Sequence, residues 1–263
     1  MVEIGCGLVS LGREWGFRGR GIPDEATARQ LLETAVGLGI RVFDTAPSYG
    51  TSEERLGRFL AEIDPAERER LLIGTKCGEQ FDERAGSVVD HSPSALRRSI
   101  ERSLCLLGRV AILQIHKATR AVIEDDAVLT LLEAVKRDVG EIGASVKDFD
   151  GANAAIRCPL ISVIQFPYNI RHPDLAPVFA AANAAGKKIF VNRPLGEGSL
   201  VYDTGAAPAA NIAGALSFIL KQNFDGYILI GTRSSAHLTD DVRIFRELTA
   251  ASSSQPQKPA GQT

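Results

Sequence analysis

The sequence carries little excess charge and no long apolar run, and both absences exclude classes of partner. Its 30 basic and 32 acidic residues give a formal net charge of −2, which argues against nucleic acid or an anionic membrane surface as the main partner. No apolar run approaches the roughly 18 residues that would indicate a membrane-spanning helix. The amino terminus lacks a basic segment ahead of an apolar one, so no signal peptide is expected. We therefore expect a cytoplasmic protein.

Cysteine is sparse and scattered. The four cysteines form no C-x-x-C pair, and no histidine stands at metal-ligand spacing from them. We interpret Cys6, Cys77, Cys105 and Cys158 as reduced thiols. The sequence therefore predicts neither a disulfide framework nor a metal site.

Apolar, β-branched runs alternate with longer helical patterns along the whole chain. The predicted strands are residues 3–10, 39–44, 71–76, 110–116, 139–145, 161–166, 187–193 and 227–231. A (β/α)8 barrel takes about 250 residues as one domain, which is close to the 263 residues present. We therefore predict a single α/β domain over residues 1–250, folded as a (β/α)8 TIM barrel, with an open doubly wound sheet as the alternative.

The predicted helices lie between these strands and show cap signals. They cover residues 24–38, 52–60, 93–107, 124–137, 149–157, 173–185, 208–223 and 236–250. The clearest boundaries belong to the third helix, where Ser92 precedes Pro93 and Gly108 ends the pattern. The last residues, 251–263, are rich in Ser, Gln, Pro and Ala, and we predict that they form a disordered polar tail.

Three ionisable residues each stand at the end of a predicted strand. Asp44, Lys76 and His116 end the second, third and fourth strands, and Tyr49 follows the first of them within DTAPSYG. Neighbouring strands lie about 4.8 Å apart, and barrel active sites form at the carboxyl ends of the strands. These four side chains are therefore expected to converge. A structural ion pair with a core histidine is the alternative for each residue taken alone.

The four groups suit proton transfer to a carbonyl oxygen. A tyrosine has an ordinary pKa near 10, and an adjacent ammonium group favours the phenolate and lowers that value. An aspartate beside the lysine would hold the ammonium in place, and the histidine would orient a carbonyl group. The set lacks a nucleophile–base pair for acyl transfer and the paired carboxylates of glycoside hydrolysis. A source of hydride must then come from a cofactor.

An ordered series of motifs resembles the aldo-keto reductases. The motifs are DTAPSYG, SEERLG, GTK, LQIH, IGASVKDF, VIQFPYN, NRPLGEG and IGTRSSAHLTDD, and they extend from about residue 4 to 246. The resemblance implies a (β/α)8 barrel and NAD(P)H-dependent reduction of an aldehyde or ketone, or the reverse oxidation. It implies that Tyr49 is the general acid, that Lys76 lowers its pKa, that Asp44 supports Lys76 and that His116 orients the carbonyl.

The same resemblance assigns a cofactor site. It places the nicotinamide carboxamide at Ser145 and Gln165, although Val146 replaces the usual asparagine. Arg193 falls near the nicotinamide ring, and the pyrophosphate contacts fall on Leu195, Glu197 and Gly198. At the adenosine end the matching positions are Thr232, Arg233, Ser234, His237 and Asp241. Thr232, Arg233 and Ser234 favour NADPH over NADH, because arginine forms bidentate contacts with a phosphate group. NADH is the alternative cofactor.

The substrate pocket is expected at the loop after the first strand. Trp15 is the single tryptophan and lies close to Phe17, and the resemblance implies an aromatic wall there. Relative to the family, the chain is expected to lack an N-terminal hairpin and a long C-terminal loop, which leaves the pocket open. Lys117 and Arg120 follow the histidine and suggest a basic rim that favours an anionic substrate.

We expect the partner to be a small-molecule carbonyl substrate and the protein to be a monomer or a weak homo-oligomer. Two other roles stay open. One is a cofactor-binding barrel with a regulatory function and little turnover, as in channel β subunits that resemble this family. The other is a lyase or epimerase that recycles its cofactor in place.

Overall fold

A computed structural model describes residues 1–17, 21–82, 84, 86–202 and 207–253. Eight parallel strands close into a barrel, in the order β1-β2-β3-β6-β7-β8-β9-β10 and back to β1. They are β1 Val2–Gly7, β2 Val42–Asp44, β3 Leu72–Cys77, β6 Val110–Ile115, β7 Val139–Ser145, β8 Ile161–Pro167, β9 Lys188–Asn192 and β10 Gly226–Ile230. The predicted (β/α)8 barrel is confirmed. The first strand ends at Gly7, earlier than predicted, because a short helix follows it.

Helices surround the barrel. They are α1 Val9–Gly12, α2 Glu25–Gly37, α3 Ser52–Glu62, α4 Pro65–Glu69, α5 Pro93–Leu107, α6 Arg120–Ile123, α7 Asp126–Val135, α8 Phe149–Arg157, α9 Ala176–Ala184, α10 Ser199–Tyr202, α11 Pro208–Leu220 and α12 Ser235–Ser253. Two 3-10 helices cover Pro47–Tyr49 and Gly196–Gly198. No helix in the described ranges is long and apolar enough to cross a membrane. Of the predicted tail, residues 251–253 belong to α12, and residues 254–263 lie outside the described residues.

The helix boundaries follow from local capping. The Ser92 hydroxyl accepts a hydrogen bond from the Ala95 amide at 3.4 Å, and Pro93 occupies the first turn of α5, where no amide hydrogen is needed. At the other end Gly108 takes φ of 74°, a conformation that glycine adopts without a steric penalty. The cap signals in the sequence therefore place α5 at its predicted bounds.

The barrel interior is layered because side chains on a strand alternate with a period of two. One apolar layer fills the barrel below the mouth, with Val42, Ile112, Val163, Phe190 and Leu229 packed together. Two residues further along, four of these strands present Asp44, Gln114, Gln165 and Asn192, and Gly231 follows the end of β10. A polar layer therefore lies directly above an apolar one, at the carboxyl ends of the strands.

An antiparallel hairpin follows β3 and was not predicted. Its strands are β4 Glu79–Asp82 and β5 Gly86–Val89, with Glu79 opposite Val89. The sequence there is mostly polar and shows no apolar period that would mark two strands. The hairpin contacts the 3-10 helix Pro47–Tyr49, so it forms part of the rim around the barrel mouth.

Candidate active site

Lys76 is the centre of the polar layer at the barrel mouth. Its side chain is fully buried on β3, and its ammonium nitrogen lies 2.7 Å from Asp44 Oδ2, 3.0 Å from the Thr45 carbonyl oxygen and 3.1 Å from the Tyr49 hydroxyl. Burial alone would lower the pKa of Lys76, but the charge of Asp44 and the hydrogen bonds outweigh it, and the pKa is raised. The ammonium group is therefore charged at neutral pH.

Two buried glutamines hold the Asp44 carboxylate from the other side. Gln114 Nε2 donates to Asp44 Oδ1 at 3.2 Å, and Gln165 Nε2 donates to Asp44 Oδ2 at 3.3 Å. Gln114 lies two residues beyond Ile112 on β6, so the strand period aims it into the barrel. The carboxylate thus accepts hydrogen bonds from three buried donors, which offsets the free energy of removing it from water.

Tyr49 ends a short 3-10 helix, Pro47–Tyr49, that contacts β3, the strand that carries Lys76. The Lys76 nitrogen also lies 4.7 Å from the centroid of the Tyr49 ring. Burial raises the pKa of Tyr49, and the Lys76 charge opposes that rise without overcoming it. The sequence predicted that Lys76 lowers this pKa, and its charge acts in that direction, although burial has the larger effect. The sequence indicated the neighbouring ammonium group but not the burial of the phenol.

His116 follows β6 and faces both Tyr49 and the hairpin. Its ring meets the Tyr49 ring edge-on, with 5.9 Å between centroids. Nδ1 of His116 lies 2.9 Å from Glu79 Oε2 and 3.2 Å from Ser48 Oγ. Burial lowers the pKa of His116, and the hydrogen bond from its ring to Glu79 works against that change.

Glu79 is a site residue that the sequence did not indicate. It is buried at the start of β4, and its carboxylate lies 2.5 Å from Lys117 Nζ and accepts a hydrogen bond from the Ser87 hydroxyl. Burial alone would raise the pKa of Glu79, but the hydrogen bonds from His116, Lys117 and Ser87 lower it well below its ordinary value. The carboxylate is therefore ionised, and it links the hairpin to His116.

The predicted carboxamide residues lie side by side in the sheet. Ser145 ends β7 and is paired in register with Gln165 on β8. Gln165 Oε1 and Asn192 Oδ1 are buried and have no hydrogen-bond partner within the described residues. Buried acceptors without a partner are costly. These two oxygens therefore fit a ligand that carries N–H donors, as a nicotinamide carboxamide does.

The predicted pyrophosphate loop follows β9 and has an unusual backbone. Arg193 and Glu197 adopt positive φ values of 54° and 59°, and Gly198 adopts 96°. Arg193 Nη1 pairs with Glu197 Oε1 at 3.1 Å, and the Glu197 carbonyl accepts a hydrogen bond from the Phe17 amide at 2.7 Å. Leu195 is partly buried and packs on the core. Strained residues of this kind are typical of ligand-binding loops.

The predicted adenosine residues lie after β10. The Thr232 carbonyl accepts from Ser10 Oγ at 3.1 Å, and Arg233 donates to the Gly21 carbonyl. Ser234 caps α12, since its hydroxyl accepts from the His237 amide at 3.3 Å. Asp241 is buried on the same helix, and burial together with the charge of Asp240 raises its pKa to about 7.

Both residues of the predicted basic rim are already paired. Lys117 binds Glu79, and Arg120 Nε lies 2.9 Å from Glu124 Oε2. The predicted pocket residues lie where a substrate could contact them. Trp15 and Phe17 are partly buried in the loop after β1, on the mouth side of the barrel. In the described part of the chain, no group of three His, Cys, Asp or Glu side chains is arranged to hold a metal ion.

A comparison with family models shows which protein family the chain matches. The model described as the Aldo/keto reductase family matches residues 3–213. The chain belongs to the aldo/keto reductase family. An oxidoreductase function is consistent with this membership and with the curated relatives.

Curated relatives match part of this aldo/keto reductase chain. An uncharacterised oxidoreductase of Mycobacterium tuberculosis is 28% identical over 206 residues, which cover 75% of this chain and 59% of the relative. D-threo-aldose 1-dehydrogenase of a Pseudomonas species is 38% identical over 120 residues, which cover 37% of this chain and 35% of that protein. The matched region therefore spans less than two-thirds of the length of these relatives.

Solved structures cover more of the chain. A structure from Pseudomonas aeruginosa assigned to the aldo-keto reductases is 30% identical with a TM-score of 0.78, and the match covers 94% of this chain and 90% of that one. An aldo-keto reductase from Bacillus halodurans has a TM-score of 0.76 at 21% identity, covering 92% of this chain and 86% of that one, and supports the fold alone.

Proposed function

We propose that the protein is an oxidoreductase that uses NADPH to reduce an aldehyde or ketone, or NADP⁺ to oxidise the corresponding alcohol. The observation that carries the proposal is the chain of contacts from Asp44 through Lys76 to the Tyr49 hydroxyl, at 2.7 Å and 3.1 Å. The phenol is protonated at neutral pH, and the Lys76 charge, which opposes the rise of its pKa, favours release of that proton to a carbonyl oxygen.

In the proposed reduction, the Tyr49 hydroxyl gives its proton to the carbonyl oxygen. The ammonium of Lys76 then stabilises the phenolate that remains, because it lies within hydrogen-bond distance of that oxygen. Asp44 fixes the ammonium and balances its charge in the buried layer. His116 lies edge-on to Tyr49 and would orient the carbonyl group.

The cofactor, when bound, supplies the hydride. Ser145 and Gln165 would hold its carboxamide, and the buried Gln165 Oε1 is an acceptor that needs a donor. The loop with Arg193, Leu195, Glu197 and Gly198 would hold the pyrophosphate, and Thr232, Arg233, Ser234, His237 and Asp241 would hold the adenosine end. Arg233 supports a preference for NADPH, since its guanidinium matches a phosphate group.

The test combines binding and turnover on the purified full chain. NADPH and NADH are each titrated, and a panel of aldehydes and ketones is then assayed through the absorbance of the reduced nicotinamide. The expected result is tighter binding of NADPH together with its oxidation on addition of a carbonyl compound. Binding without turnover on the whole panel would favour the regulatory barrel, and product formation without net cofactor consumption would favour the lyase or epimerase. Failure to bind either cofactor would overturn the proposal.

A further inference from the structure

Two arginines and two aromatic side chains form a row across the barrel mouth. The guanidinium carbon of Arg13 lies 4.9 Å from the centroid of the Phe81 ring and 5.0 Å from that of the Trp15 ring. The guanidinium carbon of Arg193 lies 5.6 Å from the centroid of the Trp15 ring. The row therefore joins the hairpin after β3, the loop after β1 and the loop after β9.

A hydrogen bond holds Arg13 against the segment that carries Tyr49, the proposed proton donor. Its Nη1 donates to the Ser48 carbonyl oxygen at 2.9 Å, and Ser48 immediately precedes Tyr49. The hydroxyl of the same serine lies 3.2 Å from Nδ1 of His116. A guanidinium has five N–H donors, and this contact uses one of them. Arg13 is partly exposed, so other donors remain available beside the proposed catalytic groups.

Two other cations at the mouth already have carboxylate partners. Arg193 pairs with Glu197 and Lys117 with Glu79, whereas no carboxylate of the described residues lies within 4.0 Å of the Arg13 nitrogens. Aromatic rings next to a guanidinium displace water from its faces but provide no hydrogen-bond acceptor in its plane. An anionic group from outside the chain would supply that acceptor.

We propose that Arg13 binds a carboxylate group of the substrate, so that the substrate class is aldehydes or ketones that also carry a carboxylate. This inference rests on the proposed function for the identity of the carbonyl. A planar carboxylate matches the edge of a guanidinium through two parallel hydrogen bonds. Trp15 and Phe81 hold Arg13 in a fixed orientation and wall the region in which the carbon skeleton of the substrate would lie. Arg13 is then the residue that favours an anionic substrate, rather than the Lys117 and Arg120 inferred from the sequence.

Turnover of two matched aldehydes tests the inference. The probes are 4-carboxybenzaldehyde and methyl 4-formylbenzoate, which share a skeleton and differ in charge. The variants are Arg13→Gln and Arg13→Lys, with Arg29→Gln as the control because Arg29 pairs with Glu33 on the exposed face of α2. We expect Arg13→Gln to lower kcat/KM for the acid by about 10- to 100-fold, mainly through KM, and to leave the ester within about 2-fold. Arg13→Lys should fall between wild type and Arg13→Gln, because it keeps the charge and loses the planar fork.

A binding experiment tests the inference without relying on turnover. Trp15 is the single tryptophan of the chain and lies next to Arg13, so its fluorescence reports directly on this position. We expect benzoate to change that fluorescence at concentrations where benzamide does not, in wild type and not in Arg13→Gln. If benzoate binds but no aldehyde is reduced, the proposed function fails and the anion site stands. Equal acid-to-ester ratios in wild type and both Arg13 variants, or equal responses to benzoate and benzamide, would overturn the anion site.

Discussion

The Glu79 carboxylate lies 2.9 Å from Nδ1 of His116 and determines which ring nitrogen carries a hydrogen. An ionised carboxylate only accepts hydrogen bonds, so Nδ1 is protonated. In the neutral ring Nε2 is then an acceptor, and in the imidazolium ion it is a donor. His116 would therefore donate a hydrogen bond to a carbonyl oxygen only when it is charged, and would accept one from an alcohol when it is neutral.

The first prediction concerns the pH dependence of Glu79→Gln. Burial lowers the pKa of His116 and Glu79 opposes that change, so removal of the carboxylate charge should lower this pKa further. If reduction needs the charged ring, kcat/KM for reduction falls as pH rises through the pKa of His116. We expect this fall to occur at lower pH in the variant than in wild type.

Steady-state rates across the pH range check this shift, and Glu141→Gln is the control, since Glu141 pairs with Lys188 away from the mouth. A merely structural role for Glu79 would reduce thermal stability and leave the midpoint of the pH profile in place. That pattern would contradict the prediction.

The second prediction concerns Tyr49→Phe. Loss of the phenolic hydroxyl removes the proposed proton donor and should reduce kcat by about 10²- to 10⁴-fold. Cofactor affinity should stay within about 2-fold, because the proposed carboxamide residues are unchanged. Titration with NADPH and single-turnover rates separate the two effects. Tyr227→Phe is the matched control, since Tyr227 lies near the opposite end of the barrel on β10. Retained turnover in Tyr49→Phe would refute the role of Tyr49.

The third prediction concerns the buried pair of Asp44 and Lys76. Each single variant, Asp44→Asn and Lys76→Met, leaves one charge buried without its partner and should lower the free energy of unfolding by about 3–5 kcal/mol. The double variant should lose less than the sum of the two, because no unpaired charge remains. Urea unfolding followed by circular dichroism measures all three. Additive losses would mean that the two charges do not interact strongly.

The fourth prediction concerns Asp241, whose pKa is raised from 3.8 to about 7 by burial and by the charge of Asp240. Between these two values the folded protein binds more protons than the unfolded chain, so stability falls as pH rises through this window. Asn resembles the protonated carboxyl group and carries no charge at any pH. Asp241→Asn should therefore raise Tm relative to wild type above about pH 7 and change it little below about pH 4.

At about 1.36 kcal/mol for each pKa unit, the gain in stability at high pH is up to about 4 kcal/mol. Thermal unfolding across the pH range measures the gain. Glu247→Gln is the control on the exposed side of the same helix, where the carboxylate pairs with Arg243 at 2.9 Å. A gain for Asp241→Asn that is equal at every pH would show that the carboxyl group does not titrate as described.

Local sequence signals predicted the barrel well, and the long-range contacts less well. Strands such as Val110–Ile115 and helices such as Pro93–Leu107 follow from apolar periods and caps, which act within a few residues. The meeting of Asp44 and Lys76 followed from their equivalent depth on neighbouring strands. The sequence did not indicate that Glu79 contacts His116. The hairpin after β3 brings Glu79 to the histidine, and the polar sequence of that hairpin does not reveal its two strands.

The pKa of Tyr49 could not be predicted either. Sequence proximity indicated a neighbouring ammonium group, but the degree of burial depends on how the 3-10 helix Pro47–Tyr49 packs over the barrel. Similarly, the hydrogen bond from Gln114 to Asp44 depends on the rotation of both side chains, which the sequence does not determine. Direction and burial of a side chain are tertiary properties.

The apolar layer of Val42, Ile112, Val163, Phe190 and Leu229 closes the barrel beneath the polar layer. The proposed site is therefore a pocket with a single opening. A ligand that binds at the bottom of such a pocket has to enter before a ligand that binds nearer the opening, and has to leave after it. Gln165 belongs to the polar layer, and Ser145 is paired with it in register. Since these are the proposed carboxamide residues, we expect the cofactor to bind before the carbonyl compound and to leave after the alcohol. Product-inhibition patterns check this order: an alcohol product that competes with the cofactor for the free protein would contradict it.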